Sequence, residues 1–315
     1  MRILIIDRMH ESIVSVLEKE GYEVHYQPEI RRKEIMEIIG RYEGLVIRSK
    51  TPIDSALLEK ATQLRFVGRA GAGLDNIDLD YLGQRGIALH HAPEGNRDAV
   101  AEHALGMLLA LFNHLPQADH QVRRGIWDRE GNRGEELAGK TVGIFGFGNM
   151  GEAFAKRLRG FDVDILAFDK YKSGFGDEWV KEVTFEQIQR EVDVLSIHVP
   201  LTPETRNFFS VEIMEAFDKS FYLINTARGE VITFDTLNTL LLGNKLKGAV
   251  LDVLENEKLH GLSPSEKLSF QRLTERTNVL FSPHVAGWTH QSYEKINRVL
   301  VAKIKGEWQN GKTIK

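Results

Sequence analysis

The sequence predicts an α/β protein of two domains, each built on a parallel sheet. Three observations lead to this prediction. The chain has 315 residues, more than one average domain contains. Apolar runs of strand length alternate with stretches of helical spacing along most of it. A glycine turn of sequence GFGNMG, from Gly146 to Gly151, lies near the middle, so a complete folding unit is expected before it.

The first hundred residues alternate predicted strands with predicted helices. The strands are residues 3–6, 24–26, 45–47, 66–67 and 87–89. The helices are residues 12–20, 32–39, 54–61 and 78–85, and several are followed by a glycine that would end them. This alternation predicts a parallel sheet covered on both faces, with a flavodoxin-like fold.

The rest of the chain predicts a second sheet and a returning helix. A long amphipathic helix is predicted over residues 98–117, and a polar, glycine-rich segment follows at 127–137. Six strands are then predicted at residues 142–145, 165–168, 194–198, 222–225, 248–251 and 279–282, as in a doubly wound Rossmann sheet. The last helical pattern, 291–308, comes too late for that sheet. The predicted domains are therefore 1–97 with 286–315, a discontinuous substrate domain, and 98–285.

The glycine turn has the context of a dinucleotide-binding site. An apolar run leads into it and a helical pattern follows. Gly146 allows the tight turn, Gly148 lets the backbone approach a pyrophosphate, and Gly151 packs the helix on the strand. Asn149 and Met150 lie at the helix N-terminus, which attracts the anion. Asp169 follows Gly151 by 18 residues, near the position that binds a ribose 2′-hydroxyl, so we expect NAD rather than NADP, although Lys170 weakens that preference.

Composition excludes several other classes. The content of 42% hydrophobic and 27% charged residues is ordinary for a soluble globular enzyme. A net charge of −4 gives no reason to expect a nucleic-acid partner, and the absence of cysteine excludes disulfides and thiolate metal sites. We expect no metal. Asp7 and Arg8 interrupt the N-terminal apolar run, and Glu102 interrupts the most apolar stretch, so neither a signal peptide nor a membrane span is predicted and a cytoplasmic protein is expected.

Four polar segments follow predicted strands of the second domain. Ligands of open α/β sheets bind beyond the carboxyl ends of the strands, so these segments are expected to face one crevice. They are His198-Val199-Pro200, Asn225-Thr226-Ala227-Arg228-Gly229, Asp252 to Glu257, and Ser282-Pro283-His284-Val285-Ala286-Gly287.

The residue types in these segments fit the oxidation of a hydroxy acid. The planar fork of Arg228 suits a carboxylate beside a carbonyl. Histidine side chains in general titrate near neutrality, so His284 is suited to accept a hydroxyl proton as hydride leaves. Glu257 is the candidate carboxylate behind His284, but Glu255 and Asp252 compete for this role on spacing, and the sequence leaves the choice open.

The motifs GFGNMG with Asp169, HVPLT, NTARG, LDVLENE and SPHVAGWT occur in an order that resembles the NAD-dependent D-isomer-specific 2-hydroxyacid dehydrogenases. The resemblance covers nearly the whole chain and is closest to the phosphoglycerate dehydrogenase branch. It implies that Arg228 orients the substrate, Glu257 supports the base and His284 is the acid/base. It also implies a cofactor groove lined by the following residues: His198, Val199, Pro200, Thr226, Ala227, Asp252, His284 and Gly287.

The N-terminal half carries the predicted substrate residues. Arg48 and Ser49 end one strand, and Arg69-Ala70-Gly71-Ala72-Gly73 ends the next. The glycines are suited to expose N–H groups to a carboxylate. The phosphoglycerate branch implies that Arg48 and Arg69 bind the phosphate of 3-phospho-D-glycerate, which is oxidised to 3-phosphohydroxypyruvate in serine biosynthesis. The alternative is that both arginines pair with nearby acids.

Two departures from the family pattern bear on the substrate. Trp288 stands where phosphoglycerate dehydrogenases often carry a small residue, and residues 262–276 form a longer stretch than expected, suited to cap the site or join a subunit contact. The sequence ends at Lys315 without a regulatory domain, so no serine inhibition through such a domain is expected.

The alternatives are a glyoxylate or hydroxypyruvate reductase, and a non-catalytic NAD-sensing binding protein. The apolar stretch 99–115 is typical either of a homodimer contact built on the cofactor domain, as in the family, or equally of plain core, and His103 within it is expected to be structural.

Overall fold

A computed structural model describes residues 1–310, with the backbone alone for residues 307–310. The chain forms two compact units. The first unit is Met1–Arg97 with the C-terminal segment from Trp288 on, and the second is Asp98–Gly287. The predicted boundary at residue 286 thus falls two residues before the observed division. Residues 311–315 of the predicted first domain lie outside the described residues.

The first unit is built on a parallel sheet of the order β2-β1-β3-β4-β5. This is the flavodoxin-like order, which confirms the predicted fold class. Its strands are β1 (Arg2–Ile5), β2 (Glu23–Tyr26), β3 (Gly44–Ile47), β4 (Phe66–Arg69) and β5 (Ala88–His91). Its helices before the crossover are α1 (Ser12–Lys19), α2 (Arg32–Ile38), α3 (Ser55–Lys60) and α4 (Leu79–Gln84). Asp54 and Asp78 cap α3 and α4 through bonds from Leu57 and Tyr81 N–H groups, so these helices begin one residue later than predicted.

The C-terminal helix α12 (His290–Asn310) belongs to the first unit, as predicted. Its apolar face, with Leu300 and Ile304, joins the core formed by Ile3 and Ile5 of β1. The turn before the crossover also contacts this helix, because a Cβ on Gly95 would lie 2.5 Å from the Ile296 Cα. The unit therefore needs both ends of the chain to close its core.

The second unit, whose residues are all described, contains a parallel sheet of seven strands in the order β12-β11-β10-β9-β6-β7-β8. The first six strands in chain order have the Rossmann arrangement, and β12 extends it. The strands are β6 (Thr141–Phe145), β7 (Asp164–Phe168), β8 (Val180–Glu182), β9 (Val194–Ile197), β10 (Phe221–Asn225), β11 (Leu246–Leu251) and β12 (Val279–Phe281). The prediction of six strands was wrong because β8 is a short edge strand in which only Val180 is buried.

Helices cover both faces of the second sheet. They are α5 (Arg97–Phe112), α6 (Leu115–Arg123), α7 (Asn149–Leu158), α8 (Phe185–Glu191), α9 (Val211–Glu215), α10 (Phe234–Leu242) and α11 (Pro264–Thr274). The single helix predicted over residues 98–117 was wrong. His114 adopts a left-handed φ of 49°, and Pro116 lies in the first turn of α6, where it cannot continue the preceding helix. No helix of the described residues has the length and apolarity that crossing a bilayer requires.

Candidate active site

Each glycine of the turn after β6 has its own structural reason. Gly146 has a φ of +97°, and a Cβ there would lie 2.7 Å from the His198 carbonyl oxygen. A Cβ on Gly151 would lie 2.2 Å from the Gly146 carbonyl oxygen. A Cβ on Gly148 would meet nothing within 4 Å. Gly146 and Gly151 are therefore required by the fold, whereas Gly148 borders open space directly before the first residue of α7, where a pyrophosphate would meet free N–H groups.

Asp169 ties the loop after β7 to the glycine turn. One carboxylate oxygen accepts the Phe147 N–H at 2.8 Å, and the other accepts the N–H groups of Tyr171 and Lys172 at 2.9 and 3.0 Å. A carboxylate has about four acceptor sites, so these bonds leave capacity for a ribose hydroxyl. The predicted ribose contact fits this geometry.

An orphaned hydroxyl in the loop after β10 is a second sign of a ligand groove. Thr226 is 9% exposed, and its buried Oγ1 has no hydrogen-bond partner among the described residues. Buried polar groups are nearly always bonded, so a ligand group or a water is expected there. With the open position at Gly148, the residues of this unit fit a dinucleotide.

The loop after β9 contributes backbone and apolar surface. Val199 lies against the glycine turn, with its Cγ1 2.9 Å from a Cβ placed on Gly146. The His198 imidazole instead bonds the buried Ser196 hydroxyl at 2.8 Å and contacts Phe154. Burial lowers the pKa of His198 to about 3, so this imidazole is neutral. Its predicted contact with the cofactor would therefore come from the backbone.

The glycine turn supplies a matched pair of variants. Gly148→Ala is expected to change the unfolding free energy by less than about 1 kcal/mol, because alanine is only a modestly poorer helix cap than glycine and meets no atom. It should nevertheless weaken NADH binding about tenfold or more, because its methyl group enters the open position. Gly151→Ala should instead lower the melting temperature by several degrees through its clash with Gly146. NADH titration and thermal unfolding separate the two effects; unchanged NADH affinity in Gly148→Ala would contradict the assignment.

His284 and Glu257 form the central pair of the site. The His284 Nδ1 lies 2.9 and 3.1 Å from the two carboxylate oxygens of Glu257. The choice left open by spacing is thereby resolved, because Glu255 accepts the Phe234 N–H at the start of α10 and Asp252 accepts the N–H groups of Val285 and Ala286. With Nδ1 bound to Glu257, Nε2 is the nitrogen that can exchange a proton with a substrate.

The electrostatics of the pair follow from this contact. The hydrogen bond to Glu257 raises the pKa of His284 above its usual value, outweighing burial and the repulsion from Arg228. Burial raises the pKa of Glu257, but the hydrogen bond and charge of His284 outweigh it, so its pKa lies below the usual value. The glutamate therefore stays ionised and stabilises the imidazolium.

Glu257→Gln is expected to shift the pH profile. It removes the contact that raises the pKa of His284 and leaves burial and Arg228, which both lower it. Reduction of the oxo acid needs the imidazolium form of His284, so its rate falls as pH rises through the pKa of His284. Because the variant lowers that pKa, the basic limb of the pH profile for reduction should move to lower pH. Oxidation needs the neutral ring, so its acidic limb should move to lower pH as well. Profiles of kcat/KM in both directions test this, with Glu255→Gln as the control; a profile equal to that of the wild type would refute the role.

Arg228 is held at the end of β10 by its own turn. The Asn225 side chain donates to the Arg228 carbonyl at 2.9 Å and accepts the Ala227 N–H at 3.0 Å. Arg228 Nη1 donates to the Ala227 carbonyl at 2.6 Å. A Cβ on Gly229 would lie 1.9 Å from the Leu254 carbonyl, so this turn packs directly on the loop that carries Glu257. The bracing by Asn225 was missed by the sequence analysis, although a polar residue ending a buried strand was a signal for it.

The predicted helical stretch 262–276 contains α11, which braces the loop of Glu257. Glu266 accepts a bond from the Asn256 side chain at 3.1 Å, next to Glu257 in the chain. Phe270 contacts Phe234 on α10 and Phe281 at the end of β12. The helix thus supports both strand ends that carry the pair, and its predicted role in a subunit contact stays a prediction.

Arg48, in the first unit, is held by aromatic rings. Its guanidinium carbon lies 4.2 Å from the centre of the Trp288 ring and 5.1 Å from that of Tyr293. Burial lowers the pKa of Arg48, and the buried Asp7 carboxylate accepts its backbone N–H. Ser49 follows it and is exposed. The predicted pairing of Arg48 with a nearby acid thus involves its backbone, while its side chain stacks on Trp288.

The second predicted substrate segment follows β4. Arg69 Nη1 donates to the Ala70 carbonyl at 2.8 Å and folds over Gly71, whose φ is +141°. This φ is one that residues with a side chain rarely adopt, so the backbone conformation itself favours glycine there. The N–H groups of Ala70 and Gly71 bond to the Ile47 and Arg69 carbonyls. Within the described residues, the N–H groups of Ala72 and Gly73 donate to no backbone carbonyl, so they are available to the carboxylate of a substrate.

Comparison with known proteins places this site in a family. Residues 105–286 match the family model described as D-isomer specific 2-hydroxyacid dehydrogenase, NAD binding domain, which confirms the predicted family and the predicted cofactor, NAD. The chain is 33% identical to a D-3-phosphoglycerate dehydrogenase of Archaeoglobus fulgidus, over 96% of this chain and 56% of that protein. It is also 33% identical to a hydroxypyruvate reductase of Thermotoga maritima, over 93% and 94% of the two chains. The chain thus spans about half the length of the first of these relatives.

Solved structures agree. A D-lactate dehydrogenase of Aquifex aeolicus, complexed with NAD and lactic acid, is 26% identical and superposes with a TM-score of 0.82 over 99% of this chain and 96% of that one. The similarity of this chain to that fold, its match to the family model and its near full-length match to the Thermotoga protein lead to one assignment. The chain belongs to the D-isomer specific 2-hydroxyacid dehydrogenase family.

Proposed function

We propose that this protein interconverts a D-2-hydroxy acid and its 2-oxo acid with NAD. The observation that carries the proposal is the His284–Glu257 pair at 2.9 Å, in which the loop of Glu257 packs against the turn of Arg228. An acid/base, a carboxylate that supports it and a cation for the substrate are the protein groups that this redox reaction requires.

The proposed mechanism assigns one task to each residue. The turn at Gly148 and the Asp169 carboxylate would hold NAD, which would supply a hydride acceptor for C2 of the hydroxy acid. His284 Nε2 takes the hydroxyl proton, and Glu257 stabilises the imidazolium that results. Arg228 holds the substrate carboxylate and orients C2. In the reverse direction His284 returns the proton to the carbonyl oxygen, and the hydrogen bond to Glu257, which raises the pKa of His284, stabilises the protonated ring that this step needs.

For the substrate we propose 3-phospho-D-glycerate, oxidised to 3-phosphohydroxypyruvate. The support is the similarity to the phosphoglycerate dehydrogenases and the presence of Arg48 and Arg69 in loops suited to anions. In this proposal Arg228 holds the substrate carboxylate, and Arg48 and Arg69 are the cations for the phosphate. Production of this oxo acid would fit serine biosynthesis.

A second candidate is the reduction of hydroxypyruvate or glyoxylate. The observation that favours it is the stacking of Arg48 on Trp288 at 4.2 Å. The indole covers one face of the guanidinium, so a phosphate can reach Arg48 only along the edge that carries its N–H groups, and Trp288 stands where phosphoglycerate dehydrogenases often have a small residue. The Thermotoga relative is named a hydroxypyruvate reductase.

A substrate panel separates the candidates. The loss of NADH absorbance is followed with 3-phosphohydroxypyruvate, hydroxypyruvate, glyoxylate and pyruvate. The first proposal expects kcat/KM for the phosphorylated acid to exceed the others about tenfold or more, as one charge-assisted bond would give. The reverse ranking supports the second candidate. Tight NADH binding without turnover on any oxo acid would overturn both and favour a non-catalytic NAD-sensing protein.

We also propose that the protein is a homodimer that uses the second unit. The segment from α6 to the following loop exposes large apolar side chains, which an isolated soluble unit rarely clusters. They are Leu115 (55% exposed), Val122 (52%), Ile126 (46%) and Trp127 (79%). Light scattering in solution tests this, and a molar mass equal to that of one chain across the working concentrations would refute it.

A further inference from the structure

His103, on α5, reaches the end of β12 although the proposed mechanism gives it no task. Its Nε2 lies 2.9 Å from the Ser282 Oγ and 3.6 Å from an Asp252 carboxylate oxygen. Asp252 is 1% exposed, and all three residues lie in the second unit. A helix on one side of the sheet is thus connected to the loop that carries His284.

The direction of this chain of hydrogen bonds is fixed by counting protons. The Asp252 carboxylate accepts the Val285 and Ala286 N–H groups, each at 2.9 Å, so it acts as an acceptor. Ser282 Oγ lies 2.5 Å from the same carboxylate and donates its single proton there. The Ser282 oxygen must then accept from His103, so Nε2 of His103 carries a proton. The Met107 sulfur, 3.2 Å from the hydroxyl, is a much weaker acceptor than the carboxylate.

Asp252 in turn holds the backbone of the catalytic loop. Its carbonyl accepts the His284 N–H at 2.7 Å, and its carboxylate holds the next two N–H groups. His284 has a φ of +55°, a conformation that a residue with a side chain keeps only where its surroundings impose it. Asp252 imposes it here, and Ser282 and His103 fix the orientation of Asp252.

We infer that His103 is a positioning residue for His284, acting through Ser282 and Asp252. The inference rests on the proposed role of His284 as acid/base. The sequence alone predicted only a structural histidine at this position. The two roles predict different effects of a substitution at His103. Loss of a structural histidine would lower the free energy of unfolding, whereas loss of a positioning residue would lower kcat at an unchanged free energy of unfolding.

Three substitutions at one position test the inference. His103→Gln keeps a donor near the position of Nε2, whereas His103→Asn is too short to reach Ser282 and His103→Leu has no donor. We expect the Asn and Leu variants to have a kcat about tenfold below that of the wild type, with NADH affinity and KM within about twofold of the wild-type values. The Gln variant should keep most of the wild-type kcat. His260→Leu, at an exposed histidine in the turn Leu259–Gly261, is the control and should leave kcat unchanged.

A readout other than turnover keeps this test distinct from that of the proposed function. The ¹⁵N shifts of the His284 imidazole report its bond to Glu257, and we expect Asn and Leu to weaken that signature while Gln preserves it. Wild-type kcat in the Leu or Asn variant would overturn the inference. A Gln variant as impaired as the other two would also overturn it. If the wild type has no turnover, the proposed function is wrong. Separately, unchanged ¹⁵N chemical shifts of the His284 imidazole in all three variants would refute the positioning role of His103.

Discussion

His284→Asn is expected to lower kcat by about three orders of magnitude while NADH affinity stays within about twofold. Asparagine tolerates the left-handed φ of +55° at this position better than alanine, so the loop should keep its path. What is lost is the nitrogen that exchanges the substrate proton, with Glu257 left beside an amide that cannot become a cation. Steady-state kinetics and NADH fluorescence titration provide the two measurements.

The matched control for this variant is His260→Asn. His260 is exposed in the short turn Leu259–Gly261, close in sequence to Glu257, and no role is assigned to it. It should retain wild-type kcat. If His284→Asn kept more than about a tenth of the wild-type kcat, a different group would have to be the acid/base.

The sequence predicted those site residues whose position in space follows from the local chain geometry, namely from a tight turn or from the end of a strand. Gly146 and Gly151 are dictated by a turn that leaves no room for a side chain, so the motif itself contains the structural information. Arg228 and His284 lie shortly after the ends of β10 and β12, and the ends of parallel strands meet at one edge of the sheet. For these residues, position along the chain is enough to predict position in space.

The choice of Glu257 over Glu255 could not come from the same reasoning. Both lie in an irregular loop where side-chain direction has no period, so tertiary contacts decide. Glu255 is turned to the N-terminus of α10 by the Phe234 N–H, whereas Asn256 is held by Glu266 of α11, which orders the chain up to Glu257. Only the resemblance to the family selected Glu257 in advance.

Other differences have equally specific causes. The strand β8 was missed because a short edge strand with one buried residue carries no apolar run. The contact between Arg48 and Trp288 joins residues 240 positions apart, and no local pattern encodes it. It forms because the C-terminal segment returns to the first unit, which the sequence predicted, whereas the partner of each side chain on that segment depends on packing.

Arg228→Gln is expected to lower kcat/KM by about two to three orders of magnitude. The guanidinium is proposed to hold the substrate carboxylate through two charge-assisted bonds, and removing one partner of such a pair costs about 2–5 kcal/mol. Arg228 also lowers the pKa of His284, so the variant should raise that pKa further and move the pH limbs of both directions to higher pH. This shift is opposite in sign to the one expected for Glu257→Gln. Measurements of kcat/KM against pH on both variants therefore give paired predictions.

Arg228→Lys separates charge from geometry. Lysine keeps the cation and its effect on His284 but lacks the planar fork that matches a carboxylate, so the pH limbs should return to their wild-type positions while kcat/KM stays low. Recovery of kcat/KM in the lysine variant would show that Arg228 acts as a point charge. Wild-type kcat/KM in Arg228→Gln would mean that another cation holds the substrate carboxylate. The turn of Arg228 is braced by Asn225 and packs at Gly229 on the loop of Glu257, so the turn fixes the direction of the guanidinium as well as its charge. We therefore expect the lysine variant to keep the wild-type pH limbs and a low kcat/KM.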